Sequence, residues 1–352
     1  MSPTFVIYGA TGYSGGLVAR RAVARGWRPI LCGRDGNRLR SLAGMLELEH
    51  RTVSVSDVAA LARAFEGARV VLNAAGPFSQ TAEPVLDACL RTGAHYLDLT
   101  AEVPVIERLI ASDATARARR LMVMPAVGFD VVATDCLAAH VARRLPGARR
   151  LALAVTNLFF LSRGSAKTLF EAVDRGLVRR EGALVELPLG SRERTFDYGD
   201  GPRASINVSL ADLTTSYYST GIPDVETYTE ATPLMRALLA ACRGVGRLLR
   251  TDTAQAVLAA GAELLPESPT GDDRTSGAGS MRVVAEVEDA RGRRAIARLE
   301  TPEAYAFTPF AATAVIERVL RGDLEPGFQT PARVYGADFV LGLRGVERED
   351  LG

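Results

Sequence analysis

Within the first sixteen residues an apolar run, Phe5 to Tyr8, passes directly into Gly9-Ala10-Thr11-Gly12-Tyr13-Ser14-Gly15-Gly16 and then into LVARRAVARG, a stretch of helical period. A strand, a glycine turn and a helix in immediate succession permit few folds. The helix points the free N–H groups of its first turn at whatever occupies the loop, which suits an anion. Glycines at positions 9, 12 and 15 allow a tight turn, close approach of a phosphate and close helix packing. Residues Gly9 to Gly15 therefore read as the phosphate loop of a dinucleotide site, with Ser14 as a further phosphate or ribose contact. The spacing is Gly-x-x-Gly-x-x-Gly, a variant associated with many NADP-using reductases.

Gly12-x-Ser14-x-Gly16 also spells the nucleophile elbow of a serine hydrolase. That fold needs earlier strands to supply an oxyanion loop, and only one strand precedes Ser14. None of His50, His95 and His140 lies late enough in the chain for a typical triad histidine, so the hydrolase reading is set aside.

Short β-rich runs at 5–8, 29–32, 52–55, 70–74, 95–99 and 121–125 alternate with helical stretches that begin near Gly15, Asp35, Asp57, Thr81, Val103 and Val131. This alternation predicts an α/β fold with a doubly wound parallel sheet, a Rossmann domain. After about residue 151 the pattern becomes a mixed α+β domain, with strands at 281–288 and 293–299 and helices at 233–250, 253–265 and 307–320. Residues 266–280, PESPTGDDRTSGAGS, read as a mobile loop. The expected division is a Rossmann domain over 1–125 and a substrate or dimerisation domain over 126–324. The apolar tail over 325–352 is expected to pack back on the first.

Composition narrows the function. The chain holds 42 Lys plus Arg against 41 Asp plus Glu, so no broad positive field is available for nucleic acid. Cys32, Cys89, Cys136 and Cys242 are widely spaced, which predicts no disulfide framework and no metal site. The N-terminus has no export pattern, and 151–161 is too short an apolar run to span a bilayer, so the expected location is the cytoplasm. Lys167 is the only lysine in the chain. Where every other cation is arginine, an arginine needs positional support before it counts as a chosen contact.

Such support exists at Gly33-Arg34. They end the second strand, where an NAD site would place an acid on the ribose hydroxyls, and an arginine there pairs with a 2′-phosphate while Gly33 leaves room for it. The expected cofactor is NADP(H). Asp35 reads as the N-cap of the next helix. Ser56 and Asp57 stand where a side chain can face adenine, Asp57 being equally a helix cap. Asn73-Ala74-Ala75-Gly76-Pro77-Phe78 leaves the fourth strand as a small-residue turn against which a cofactor ribose can lie.

Together GATGYSGG, CGR, NAAGPF, HYLDLTAE and PAVGFDVVATD resemble the NADP-binding half of saccharopine dehydrogenase-like oxidoreductases, a group with saccharopine reductases and trans-acting enoyl reductases. YYSTGIPDVETY and GFQTPARVYGADFVLGL look like its bacterial branch. The resemblance implies that Asn73, Ala74, Gly76, Pro77 and Phe78 border the cofactor and that Gly128, Phe129 and Asp130 lie beside the nicotinamide. From the residues alone, the run 128–130 follows the sixth strand, at the end of the sheet where ligands bind.

Hydride transfer needs a proton donor near the acceptor. Asp130, Tyr217 and Lys167 are the candidates, each with a plainer alternative: helix cap for Asp130, packing for Tyr217, surface residue for Lys167. The Tyr-x-x-x-Lys pair of short-chain dehydrogenases has no carrier, because Arg163 stands four residues before Lys167. His95 reads as structural, and Asp98 as able to reach the ribose or substrate cleft. The expectation is an NADPH-dependent reductase of a C=N or C=C bond in a small or carrier-linked metabolite, possible as a homodimer. A non-catalytic NADP-binding sensor or scaffold is the alternative.

Overall fold

The computed structural model describes residues 4–156, 176–233, 236 and 279–351. By internal contacts these fall into two units, one of Met1–Val132 with Ala304–Tyr335 and one of Ala133–Glu303 with Gly336–Gly352.

In the first unit seven parallel strands form one sheet. In chain order they are β1 (Thr4–Tyr8), β2 (Ile30–Gly33), β3 (His50–Thr52), β4 (Ala68–Asn73), β5 (His95–Asp98), β6 (Met122–Met124) and β15 (Gly327–Phe328). Their spatial order is β15-β6-β5-β4-β1-β2-β3. The order reverses between β1 and β4, the switch point at which doubly wound sheets bind ligands. Both sheet faces are covered, so the middles of the central strands are apolar: Phe5, Val6, Ile7, Val70, Val71, Leu72, Tyr96 and Leu97 are all buried. The helices of this unit are α1 (Tyr13–Ala24), α2 (Gly36–Leu46), α3 (Val58–Phe65), α4 (Phe78–Thr92), α5 (Val103–Ile110) and α6 (Asp113–Ala118). The long helix α7 (Phe129–Arg144) crosses the division between the units.

Two elements differ from the sequence expectation for a physical reason. The third strand is His50–Thr52 rather than 52–55. Its partner β2 ends at Gly33, paired with Thr52, and beyond that point no extended chain remains to pair with. Helix α4 begins at Phe78 rather than near Thr81. Its first amides are satisfied by a carboxylate from a distant loop, described below.

The second unit holds a mixed sheet of nine strands. They are β7 (Ala148–Val155), β8 (Gly176–Arg180), β9 (Ala183–Leu187), β10 (Glu193–Asp197), β11 (Pro202–Asn207), β12 (Asp224–Glu230), β13 (Met281–Asp289), β14 (Arg294–Thr301) and β16 (Glu347–Asp350), with helix α8 (Asp212–Thr220). The order is β10-β11-β12-β7-β13-β14-β16, and β8 joins β12 at the head of a hairpin with β9. Leu151, Leu153 and Val155 of β7 and Val283, Ala285 and Val287 of β13 are buried. On the opposite face, cross-strand ion pairs join Arg194 to Glu286 at 3.0 Å and Arg294 to Glu288 at 3.0 Å. They line a charged depression of about 550 Å³. Of its carboxylates, Glu226, Glu286 and Glu288 are matched by guanidinium groups, and Asp224 accepts from the Glu181 amide.

The segment over 325–352 divides. β15 extends the first sheet beside β6, whereas β16 pairs with β14 in the second. Helix α9 (Ala304–Arg321) begins one turn earlier than 307, and α10 (Pro331–Tyr335) follows β15. No helix among the described residues is long and apolar enough to cross a membrane.

Candidate dinucleotide site

The loop from Gly9 to Gly15 is fixed by its neighbours. Gly9 has φ +82°, and a Cβ there would lie 2.6 Å from the Ala75 nitrogen, so only glycine lets the first loop pass the turn after β4. Gly15 serves the helix: a Cβ on it would collide with the Gly9 carbonyl oxygen and lie 3.1 Å from the Ala10 Cα. The Gly12 amide donates to the Gly9 carbonyl at 3.0 Å and closes the turn. Ala10 is fully buried, and it presents backbone rather than a side chain to the loop. Thr11, Tyr13 and Ser14 are half-buried, with Tyr13 edge-on to Tyr305 of α9 at 5.2 Å.

At three helix N-termini of this unit a carboxylate already holds the first amides. Asp35 caps α2, accepting from the amides of Asn37 and Arg38 at 3.1 and 3.0 Å. Asp57 caps α3, accepting from Ala60 at 2.8 Å. Glu102 caps α4, its two carboxylate oxygens accepting from Phe78 and Ser79 at 2.8 and 2.9 Å. Helix α1 has Gly12 at its N-cap and no side-chain cap. The free amides of its first turn and the positive end of its dipole face the glycine loop, an arrangement that fits a pyrophosphate.

Arg34 is exposed at the end of β2, with no hydrogen bond or ion pair to another described residue. At Gly33 an added Cβ would meet nothing nearer than a Leu39 methyl at 3.7 Å. Protein packing therefore does not require glycine there, and the space lies next to Arg34. Arg38, which the sequence did not single out, reaches back from α2 and donates to the Thr11 carbonyl at 3.2 Å. It brings a second guanidinium to the loop. Its spacing of four from Arg34 was visible, but in a chain so rich in arginine that spacing carried no weight.

Ser56 and Asp57 are exposed after β3. Ser56 bonds to Ser54 through its hydroxyl at 3.0 Å, and the Asp57 carboxylate is engaged as a cap. Asn73 is fully buried: its amide donates to Thr81 Oγ1 at 3.1 Å, and its Oδ1 accepts from Ala75 at 3.1 Å. Its side chain holds the turn from within. Ala74, Ala75, Pro77 and Phe78 are half-buried and Gly76 is exposed. The Gly76–Pro77 bond is cis.

After β6 the chain turns through Ala126 at φ +56°. Gly128 and Phe129 are buried, the Phe129 ring edge-on to Phe307 at 5.9 Å and its amide donating to Thr308 Oγ1 at 3.1 Å. Phe129 is thus a packing residue with a backbone contact to α9. Asp130 is the one exposed residue of 121–130, yet the surrounding protein pushes its carboxyl up to about 6.

Asp98 does not open onto a cleft, contrary to expectation. It is fully buried, and Oδ1 accepts from the amides of Thr100 and Ala126 at 3.0 and 2.7 Å. Oδ2 accepts from the Tyr96 hydroxyl at 2.7 Å, and burial pushes the carboxyl up to about 6. His95 accepts at Nδ1 from the Met122 amide at 3.0 Å, and burial, aided by Arg69, lowers it to about 4. These two groups set opposite pH dependences. A neutral buried His95 costs stability as pH falls from about 6.5, where the unfolded chain protonates, to about 4. Asp98 holds a proton in the folded state up to about 6 and so gains stability over nearly the same range. His95→Asn keeps the acceptor and removes the titration. Urea denaturation is expected to show this variant gaining about 3 kcal/mol over the native protein between pH 6.5 and 4. A parallel pair of curves would remove His95 from this role.

Tyr217 lies in the second unit on α8, its ring over the Arg179 guanidinium at 4.6 Å. Arg179 is buried and donates to the carbonyls of Leu213 and Gly182 at 2.5 and 2.7 Å. Tyr217 is therefore engaged in packing. Lys167 lies outside the described residues, as do most of the stretches expected as helices at 233–250 and 253–265. No cluster of three or more His, Cys, Asp or Glu among the described residues could hold a metal ion.

Residues 5–124 match the family described as the saccharopine dehydrogenase NADP binding domain. Among curated relatives, a trans-acting enoyl reductase from Mycobacterium ulcerans is 32% identical over 188 residues, covering 48% of this chain and 44% of that protein. A probable mitochondrial saccharopine dehydrogenase-like oxidoreductase from Arabidopsis thaliana is 30% identical over 150 residues, covering 37% of this chain and 32% of that protein. The matched region thus spans less than half the length of these relatives. Saccharopine dehydrogenase (L-Glu forming) from Saccharomyces cerevisiae has a similar fold, with a TM-score of 0.66, 12% identity and coverage of 99% of this chain and 100% of that one.

Proposed function

We propose that the chain, whose residues 5–124 match the saccharopine dehydrogenase NADP binding domain family, is an NADPH-dependent reductase acting on a C=N or C=C bond of a small or carrier-linked metabolite. The observation that carries this reading is the α1 N-terminus, left uncapped beside glycines that a Cβ would block. The first-turn amides of α1 would hold the pyrophosphate, the turn 74–78 the ribose, and Arg34 with Arg38 the 2′-phosphate. A reduced nicotinamide bound there supplies hydride; the protein supplies position and a proton. Asp130 is suited to the second task, being solvent-accessible and partly protonated near neutral pH. The enoyl reductase relatives favour a C=C bond on a carrier, and the saccharopine dehydrogenase-like relatives favour a C=N bond.

The test supplies the purified chain with NADPH and, separately, cyclic imines and α,β-unsaturated thioesters. Acceptor-dependent loss of NADPH with recovery of the saturated product is expected for one class. Binding of NADPH with no turnover on either would favour a sensor. Arg34→Ser is expected to weaken NADPH about tenfold or more and leave NADH unchanged, since one charge-assisted contact is lost. Equal loss for both cofactors, measured by calorimetry, would exclude a 2′-phosphate role.

A further inference from the structure

The loops after β4, β5 and β6 are joined by a chain of buried polar contacts that runs through two carboxylates. Asp98, at the end of β5, accepts from Ala126 in the loop before α7 and from Thr100. Thr100 Oγ1 accepts from the Glu102 amide at 3.1 Å, and the Glu102 carboxylate holds the first two amides of α4. Asp98 is fully buried, and its partners are two amides and a phenol. These are dipoles that favour a negative charge without cancelling it. With its carboxyl at about 6, Asp98 is ionised at neutral pH.

We propose that Asp98, held by this chain of contacts, is a fixed negative charge that favours the oxidised over the reduced nicotinamide in this domain. The inference rests on the functional reading above. In a doubly wound fold the second half of the sheet, here β4 to β6, takes the second mononucleotide. β5 lies inside that half, between β4 and β6, so a ring over the ends of these strands stands within two strand spacings, roughly 10 Å, of Asp98. The oxidised ring carries a positive charge that the reduced ring lacks. At roughly 10 Å a buried carboxylate distinguishes the two by about fivefold in affinity at an effective dielectric between protein and water. A role confined to holding the loops would change the affinity for both forms alike.

Asp98→Asn tests this with little disturbance, since its carbonyl oxygen still accepts from Thr100 and Ala126 and its amide can donate to Tyr96. Calorimetry at pH 8 would measure NADP+, NADPH and 2′,5′-ADP, the last reporting the adenosine half alone. The variant is expected to weaken NADP+ relative to NADPH by about fivefold, with 2′,5′-ADP unchanged. An unchanged ratio overturns the proposal. If the variant does not fold, the native Asp98 gives the same answer through pH. In an Asp130→Asn background, which removes the other carboxyl raised to about 6, the ratio should shift by a similar factor between pH 8 and 5.5, as Asp98 protonates, while titration of the 2′-phosphate cancels between the two forms. The ionisable groups acting on Asp98 are Tyr96 on β5, kept neutral by burial, and Glu102 before α5; the Ala126 loop offers only an amide. A pH-independent ratio overturns the proposal as well. Failure of the native protein to bind any of the three ligands would instead overturn the functional reading.

Discussion

Gly15→Ala is expected to destabilise the chain by about 3 kcal/mol and to weaken NADPH binding by more than about tenfold. The added methyl would meet the Gly9 carbonyl and the Ala10 Cα, backbone atoms that cannot rotate away as a side chain can. To relieve the contact, α1 must move away from the loop. That movement withdraws the amides that would hold the pyrophosphate, so stability and affinity fall together. Gly44→Ala is the control, because a Cβ on Gly44 in α2 meets nothing within 4 Å. It should be neutral or stabilise by about 0.5–1 kcal/mol. Denaturant unfolding read beside a fluorescence titration gives both quantities. A Gly15→Ala variant with native stability and affinity would mean that α1 does not need its present distance from the loop.

Asp130→Asn is expected to lower turnover by about 100-fold or more while leaving NADPH binding unchanged, the pattern of a lost general acid. A carboxyl titrating near 6 is the active, protonated form below that pH. Native kcat should therefore fall about tenfold per pH unit above about 6, and the variant should lack that limb. Equal pH profiles for the two proteins would assign the proton to another group.

These effects trace back to features of unequal legibility in the sequence. The glycine loop was readable because each glycine answers a local demand: a positive φ at Gly9 and contact with the loop at Gly15. The caps Asp35 and Asp57 were readable for the same reason, since a cap acts within three residues of itself. Glu102 was not, because it caps α4 from another loop, and nothing near Phe78 in sequence announces it. The start of α4 was misplaced accordingly. Asp98 was misread because its position at a strand end suggested a cleft. Its amide partners, Thr100 and Ala126, show that the carboxylate instead stitches two loops from within. Asn73 was placed correctly at the turn, but its side chain faces Thr81 and Ala75. The third strand ended where its partner turned away, a limit set by pairing and not by the alternation of Val53 and Val55.

Equilibrium titration of the native chain with NADPH and with NADH tests the central claim most directly. Saturable binding of NADPH, tighter than NADH by about tenfold or more, is the result that the uncapped α1 and Arg34 require. No saturable binding, or NADH bound as tightly as NADPH, would contradict it.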